Sequence, residues 1–303
     1  MPGNLQLTVQ LGISLGLIAT ALGLLAPWVP YLELINHFRP YLIASSGVLG
    51  VLAWRISGLG VRRAGAFFFV LSLVLALLPT IYRARETAEP SFLRVVTFNL
   101  WSGAARPEET VRFLRTSNAD IVLLQEAALA GQIVAALRDT YPYTDPCPDE
   151  HCEVRLLAKH PFNDAGRYTR SELNPPLTWA RFDRDGSTYE VFGVHLAYPF
   201  HPAEQQAHVD WLSAHLAQRR HPIVLAGDLN LTPFSWKLAK LALSAGLRRH
   251  GTLLMSWPAH EWTPLFLLDN VLASPSFASI AIRTGPRLGS DHLPVIADLA
   301  LVP

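Results

Sequence analysis

The sequence predicts an α+β protein: a carboxy-terminal domain of β-sheets covered by helices, preceded by a set of apolar helices. Two observations carry that expectation. Near residue 93 the chain changes from long uncharged runs to short apolar runs alternating with amphipathic stretches. In that second part, strand and helix patterns mix with at least one hairpin signal. Such mixing argues for sheets under helices and against a simple doubly wound parallel sheet.

Leu7–Pro27 and Ala64–Tyr82 are uncharged runs of 21 and 19 residues. As helices, each is long enough to cross a hydrocarbon core of about 30 Å. Between them Tyr41–Trp54 offers 14 uncharged residues. It reads as a short third span with Arg55 snorkelling, or as a re-entrant segment. A cleaved signal peptide is the competing reading of the first run. It is disfavoured because Met1–Gln6 holds no Lys or Arg and further apolar segments follow. The expectation is an anchor over residues 1–90 with spans near 7–27, 41–58 and 64–82, and one domain over residues 91–303. Arg55, Arg62 and Arg63 cluster in a nine-residue loop. That cluster is the positive-inside signal, so a multi-pass protein of the cell membrane with its domain outside the cytoplasm is expected.

Cys147 and Cys152, the two cysteines, sit in the polar, turn-rich stretch Asp145–Cys152. A disulfide is the first reading and suits an oxidising compartment. Two unpaired thiols, or a zinc site with His151, are the alternatives; one His and two Cys at this spacing match no strong zinc pattern. Residues 94–303 carry 19 Lys and Arg against 21 Asp and Glu and show no basic stripe. Duplex nucleic-acid binding normally shows as a clustered positive face, so there is no strong nucleic-acid signal.

Along the domain, Leu93–Leu100 reads as a strand and Pro107–Thr116 as a helix with Pro in its first turn. Asp120–Gln125 is a buried-type strand, and Ala127–Asp139 has helical spacing. Trp179–Phe182 and Tyr189–His195 flank Arg184-Asp185-Gly186, where Asp-Gly supplies the positive φ that tight hairpins need. Pro202–Arg219 is an amphipathic helix with Val209, Leu212 and Leu216 on one stripe. The strand Ile223–Ala226 is followed by a helix around Ser235–Ala245 that Gly246 ends. Leu267–Ala273 and Leu293–Leu301 are the last strands expected.

The chemistry lies at strand ends. Asn99, Glu126, His195, Asp228, Asn230, Asp269, Asp291 and His292 all fall at or within a residue or two of an apolar strand terminus. Taken singly, each has a bland explanation, such as a turn-forming Asp or a helix-capping Glu. Jointly, four carboxylates on one edge would repel one another unless a divalent cation or a cationic partner sat among them.

At these residues the sequence resembles the endonuclease/exonuclease/phosphatase superfamily. The matching pieces are Thr97-Phe98-Asn99, Leu124-Gln125-Glu126, Val194-His195-Leu196, Gly227-Asp228-Leu229-Asn230, Leu268-Asp269-Asn270-Val271 and Ser290-Asp291-His292-Leu293-Pro294. The resemblance implies a four-layer α/β sandwich, two mixed sheets back to back with helices outside, and Mg²⁺- or Mn²⁺-dependent cleavage of a phosphate ester. Carried over residue by residue, it makes Asn99, Glu126 and Asp291 metal ligands. It makes Asp228 the group that orients and deprotonates water, with Asn230 holding a phosphate oxygen or the nucleophile. His195 donates to a non-bridging oxygen, and His292 is acid/base or clamp with its tautomer fixed by Asp269. The chain departs from many members at Asn270, where His or Tyr is usual, and at Ala158-Lys159, which replaces Ser-Arg or Ser-Lys.

Apolar spans before a compact domain, and the motif Ser256-Trp257-Pro258, resemble the membrane-bound bacterial branch that includes proteins linked to glycopeptide-antibiotic resistance. That likeness implies the lipid bilayer as partner and a phosphorylated lipid, such as a lipid-linked phosphate or pyrophosphate, as substrate. An extracytoplasmic nuclease or soluble-phosphoester hydrolase, and a non-catalytic membrane interaction module, are the alternatives.

Overall fold

The computed structural model describes residues 2–148, 151–251, 253–260 and 263–302. Asp149 and Glu150 of the cysteine loop lie outside the described residues. The chain divides into two compact units, residues 1–81 with 232–239, and residues 82–231 with 240–303.

The first unit is helical: α1 (Pro2–Leu24), α2 (Glu33–His37), α3 (Arg39–Ile56) and α4 (Leu59–Leu77). Its small core joins Val9, Ile13, Ala53 and Phe68. Gly16 makes room for it, since a Cβ there would lie 2.3 Å from the Phe68 ring. Leu11, Leu15 and Ile18 on α1, and Phe67, Val70 and Val74 on α4, are exposed. A water-soluble bundle would bury such faces, whereas lipid tails accept them. Two helices are long and apolar enough to cross a membrane, Asn4–Leu24 and Leu59–Tyr82. The expected middle span is a helix but is not among them: Arg39 and Arg55 stand inside its 18 residues, with Ser45 and Ser46 in its middle. Three spans are therefore corrected to two candidates.

Among the described residues the second unit holds twelve strands in two six-stranded mixed sheets flanked by helices. The strands are β1 (Leu93–Asn99), β2 (Ile121–Gln125), β3 (Tyr143–Thr144), β4 (Val154–Ala158), β5 (Asp164–Tyr168) and β6 (Leu177–Arg184). They continue as β7 (Ser187–His195), β8 (Ile223–Asp228), β9 (Arg248–Arg249), β10 (Asp269–Ala273), β11 (Phe277–Thr284) and β12 (Val295–Leu301). The first sheet runs β11-β12-β1-β2-β4-β3 and the second β5-β6-β7-β8-β10-β9. Strand alternation explains the layering. Val95, Ile121, Leu123, Val191, Val224 and Val271 face between the sheets. Their neighbours Val96, Phe98, Val122 and Leu124 join Leu114 of helix α5 (Pro107–Thr116) and Ile133 and Val134 of α6 (Gly131–Ala136). The remaining helices are α7 (Pro202–Ala217) and α8 (Trp236–Ser244).

The Asp-Gly hairpin forms as expected, with Asp185 at φ 51° and Gly186 at φ 77° between β6 and β7. The helix expected over Ala127–Asp139 is shorter, a 3₁₀ turn Ala127–Leu129 and then α6. Gly131 opens that helix, where an uninterrupted one would have carried it in the interior, a position Gly disfavours. Strands β4, β5 and β11 were not legible. In β5, Asp-Ala-Gly-Arg-Tyr has no apolar alternation and is held by pairing to β6 alone.

Candidate active site

Register brings the polar residues to one rim. β1 and β2 are parallel with Asn99 opposite Gln125, which delivers Asn99 and the next residue, Glu126, side by side. In the other sheet β7 and β8 are parallel with His195 opposite Asp228, and antiparallel β10 sets Asp269 opposite Asp228. Two parallel pairs end, and two antiparallel strands begin, at the same edge. Gly227 permits the close approach of β8 to β7, because a Cβ there would lie 1.9 Å from the Val194 carbonyl oxygen.

The loop before β12 completes the rim. Ser290 Oγ donates to the Asn99 carbonyl (2.7 Å) and accepts from the His292 N–H (3.0 Å), tying Asp291 and His292 to the end of β1. Ser256-Trp257 lies behind it: Ser256 Oγ faces the Asp269 N–H (3.4 Å), and Trp257 Nε1 donates to Asp291 Oδ2 (2.9 Å).

Asp228 is the hub. Its Oδ1 accepts the Asn230 N–H (2.9 Å), and its Oδ2 lies 3.0 Å from Asn99 Nδ2, 3.5 Å from His292 Nε2 and 3.6 Å from His195 Nε2. Each imidazole is backed by a carboxylate, Asp269 Oδ2 at 2.8 Å from His292 Nδ1 and Glu153 Oε1 at 3.1 Å from His195 Nδ1. Both rings thus turn Nε2 toward Asp228. Burial pushes the Asp228 carboxyl up, Asp269 adds to this, and the two histidines oppose it. For His292, burial disfavours the imidazolium, but Asp269 and Asp228 outweigh it and hold the ring up to about 10. His195 is also raised, by Glu153, Asp228 and Glu126 against burial.

Glu126 stands in the left-handed region at φ 51°, as do Trp101, Ser102 and Asn230 at φ 47–50°. Non-glycine residues held there concentrate where the surroundings impose a geometry. Asn99 Nδ2 (3.0 Å) and Ser102 Oγ (2.6 Å) donate to Glu126 and, with His195 and His292, draw its pKa down although burial opposes them. Tyr198 Oη sits 3.4 Å from Glu126 Oε1 and is pushed up to about 12 by burial and by Glu126, Asp228 and Asp291.

These residues fit a divalent cation. Asp228, Asp269 and His292 present ligand atoms within 4.8 Å of one another, a buried group able to hold a metal. Asp269 Oδ1 and Asp291 Oδ1 are buried without hydrogen-bond partners, and hard oxygens of this kind suit Mg²⁺ or Mn²⁺. The Asn99 amide NH₂ bridges Glu126 and Asp228, so a neutral donor pair holds two carboxylates that a cation would hold more tightly.

All eight residues singled out in the sequence meet at this rim. Asn230 Nδ2 donates to the Leu196 carbonyl (2.9 Å), which braces the β7 and β8 ends against each other. Asn270, where the chain departs from the family, donates to the Leu231 and Leu268 carbonyls and is structural. Lys159 bonds Asn118, well removed from the rim's hydrogen bonds. Sequence reasoning missed Glu153, Ser102 and Tyr198. Glu153 had a readable signal, an acid directly before the apolar strand β4, but that strand was not recognised.

Several solved structures share the fold. An endonuclease/exonuclease/phosphatase from Beutenbergia cavernae is 22% identical over 70% of this chain and 72% of that one, at a TM-score of 0.55. Sphingomyelinase C from Streptomyces griseocarneus is 21% identical over 69% and 99%, at 0.51. A mannosyl-6-phosphatase from Bacteroides thetaiotaomicron is 16% identical over 69% and 100%, at 0.54. No curated protein matches the chain. The model of the endonuclease/exonuclease/phosphatase family matches residues 96–292, from β1 to His292. The chain belongs to the endonuclease/exonuclease/phosphatase family.

Proposed function

We propose that the chain is a membrane-anchored, divalent-metal-dependent phosphohydrolase or phosphodiesterase that attacks a lipid-linked phosphate or pyrophosphate directly with water. The observation that carries this reading is Asp228 set between two carboxylate-backed imidazoles at 3.5 and 3.6 Å.

Asp228, buried and raised, is placed to take a proton from the attacking water, with Asn230 N–H fixing its orientation. His292, with Nδ1 committed to Asp269, turns Nε2–H toward the phosphoryl oxygens and donates a proton or charge there. His195 does the same from the opposite side through Glu153. Because His292 Nδ1 is committed to Asp269, we assign Asp228, Asp269 and His292 to proton handling, and Glu126 and Asp291, with Asn99 beside them, would hold the cation, which would supply Lewis-acid neutralisation of phosphoryl charge when bound.

Two features support a lipid substrate. The amino-terminal helices α1 and α4 are apolar enough to span a membrane, and a tether raises the effective concentration of a site on bilayer-borne substrate. Several exposed side chains around Glu126 are large and apolar, Trp101, Leu129, Tyr198 and, two residues on, Phe200, alongside the exposed Ser102. The Cys147–Cys152 disulfide (Cα–Cα 6.0 Å) supports an extracytoplasmic domain. Sphingomyelinase and sugar-phosphatase neighbours agree with phosphoester hydrolysis.

The test is a metal-dependent phosphate-release screen of the full chain on lipid pyrophosphates, phospholipids and single-stranded DNA. Turnover confined to the lipids supports the reading. Turnover confined to DNA replaces it with a nuclease, and none on any substrate with Mg²⁺ or Mn²⁺ removes it.

A further inference from the structure

A cleft of about 370 Å³ lies beside the reacting centre, bordered by His151, Cys152, Glu153, Arg167, Thr169 and Arg170. Glu153 is the shared wall. It meets Nδ1 of His195, whose Nε2 faces Asp228, so the cleft lies across the imidazole ring from the hub. The Cys147–Cys152 disulfide closes the loop that carries one side, and Cys152 is buried. Edge strand β5 supplies the other side with Arg167, set opposite Thr178 of β6.

The two arginines differ in how they are held. Arg170 donates Nε and Nη2 to Glu204 Oε1 (3.1 and 2.8 Å) and lies 3.8 Å from Glu153, so its guanidinium is oriented but largely neutralised. Arg167 makes one long hydrogen bond, Nη1 to the Pro146 carbonyl at 3.5 Å, and its buried Nε has no acceptor. No carboxylate pairs with it among the described residues. A buried guanidinium N–H without an acceptor is costly, and the planar fork matches the oxygens of a phosphoryl group. The active-site chemistry above uses neither arginine.

Resting on the phosphoester-hydrolase reading of the neighbouring rim, we propose that this cleft is a second oxyanion subsite. It takes a phosphoryl group several bonds removed from the scissile phosphate, with Arg167 as its principal donor and Arg170 as a pre-oriented second. The intervening imidazole sets that separation. A directly linked diphosphate places its two phosphorus atoms too close together to lie on both sides of His195, so the class favoured is a bis-phosphorylated headgroup or glycan. A nucleic-acid strand also carries a next phosphate, but the acidic balance of residues 94–303, with no basic stripe to follow a strand, favours the bis-phosphorylated small group.

The experiment uses the full-length chain in detergent with fructose 6-phosphate and fructose 1,6-bisphosphate, and reads phosphate release. Arg167→Gln is expected to raise KM for the bisphosphate about tenfold, the effect of losing a charge-assisted donor, while kcat/KM for the monophosphate stays within about twofold. Arg167→Lys, which keeps the charge and loses the fork, recovers only part of the difference. Phosphatidylcholine vesicles carrying a mono- or a bis-phosphorylated glycolipid repeat the pair. Equal effects on the mono- and bis-phosphorylated member of a pair, or no effect in the sugar pair and the vesicle pair alike, overturn the subsite. Dependence on Arg167 in the vesicle arm alone assigns a lipid-borne second phosphate, and in the sugar arm alone a soluble one. Dependence seen only with single-stranded DNA overturns the assignment. If the wild type hydrolyses none of these, the hydrolase reading fails, and the subsite is judged by calorimetric titration with the bisphosphate. A roughly tenfold weaker Kd in Arg167→Gln supports it, and an unchanged Kd overturns it.

Discussion

The two imidazoles that flank Asp228 look alike and are not equivalent. His292 is backed by Asp269, a carboxylate shut off from solvent, while His195 is backed by Glu153, whose side chain is 31% exposed and lies 3.8 Å from Arg170. A buried carboxylate acts on its imidazole through low dielectric; an exposed one is screened and shared. Both rings are raised, His292 to about 10. The inner pair is therefore sealed from solvent, whereas the outer pair's carboxylate stands at the mouth of a cleft.

That contrast is broken most directly by deleting each ring. His292→Ala is expected to lower kcat by about 10³-fold and His195→Ala by about 10²-fold, within the range of positioned acid–base groups. Steady-state kinetics on one soluble phosphoester, with circular dichroism showing an intact fold, decide it; equal losses would erase the distinction. Glu126→Gln belongs with the large effects. It should abolish activity at ordinary Mg²⁺ and regain part of it at high Mg²⁺, because the carboxylate's charge holds the cation.

Changing only the backing carboxylates sharpens the comparison. Asp269→Asn leaves His292 without its buried partner and should cost about 10²-fold, whereas Glu153→Gln should cost about tenfold or less. A larger loss for Glu153→Gln would reverse the assignment of inner and outer pairs.

The next effect is on stability. His292 titrates near 10 in the folded protein against 6.5 unfolded. A raised basic group adds stability that is complete below the unfolded value and is lost as pH rises through the folded one. Metal-free protein should therefore lose melting temperature between about pH 6.5 and about pH 10, and His292→Gln should lose less over the same window. Parallel curves for the two proteins would contradict the raised value.

The smallest effect expected is at the exposed rim. Phe200→Ser and Leu129→Ser should lower turnover of vesicle-borne substrate several-fold, by about the loss of one buried side chain each, and leave a soluble ester unchanged. Equal turnover of both substrate types would count against a bilayer substrate.

Much of the site was legible before any coordinates because its residues break apolar strands at their ends. Gly227-Asp228-Leu229-Asn230 and Ser290-Asp291-His292 are polar insertions where burial makes polarity expensive, and such insertions stand out in one dimension. The hairpin at Asp185-Gly186 and the helix Pro107–Thr116 were equally plain, since turn chemistry and amphipathic spacing are local. Glu153, Ser102 and Tyr198 stood in no such pattern. Glu153 joins the site because β4 returns beside β2, Tyr198 because the loop after β7 folds over Glu126, and Ser102 because the turn after β1 brings its hydroxyl to Glu126.

What the sequence determined by itself was therefore local: the apolar segments, the strand-end acids and histidines, and the Cys147–Cys152 loop. Tertiary structure decided which carboxylate backs which imidazole, that Asn230 braces strand ends through Leu196, and that the Arg167 Nε is buried without an acceptor. It also set the middle apolar stretch, with Arg39 and Arg55 inside its helix, apart from the two candidate spans. These pairings join residues far apart in sequence, such as Asn99 with Asp228 and His195 with Glu153. Spacing along the chain encodes periodicity and turns, but contact between distant strands follows from sheet order and register, which only the packed fold specifies.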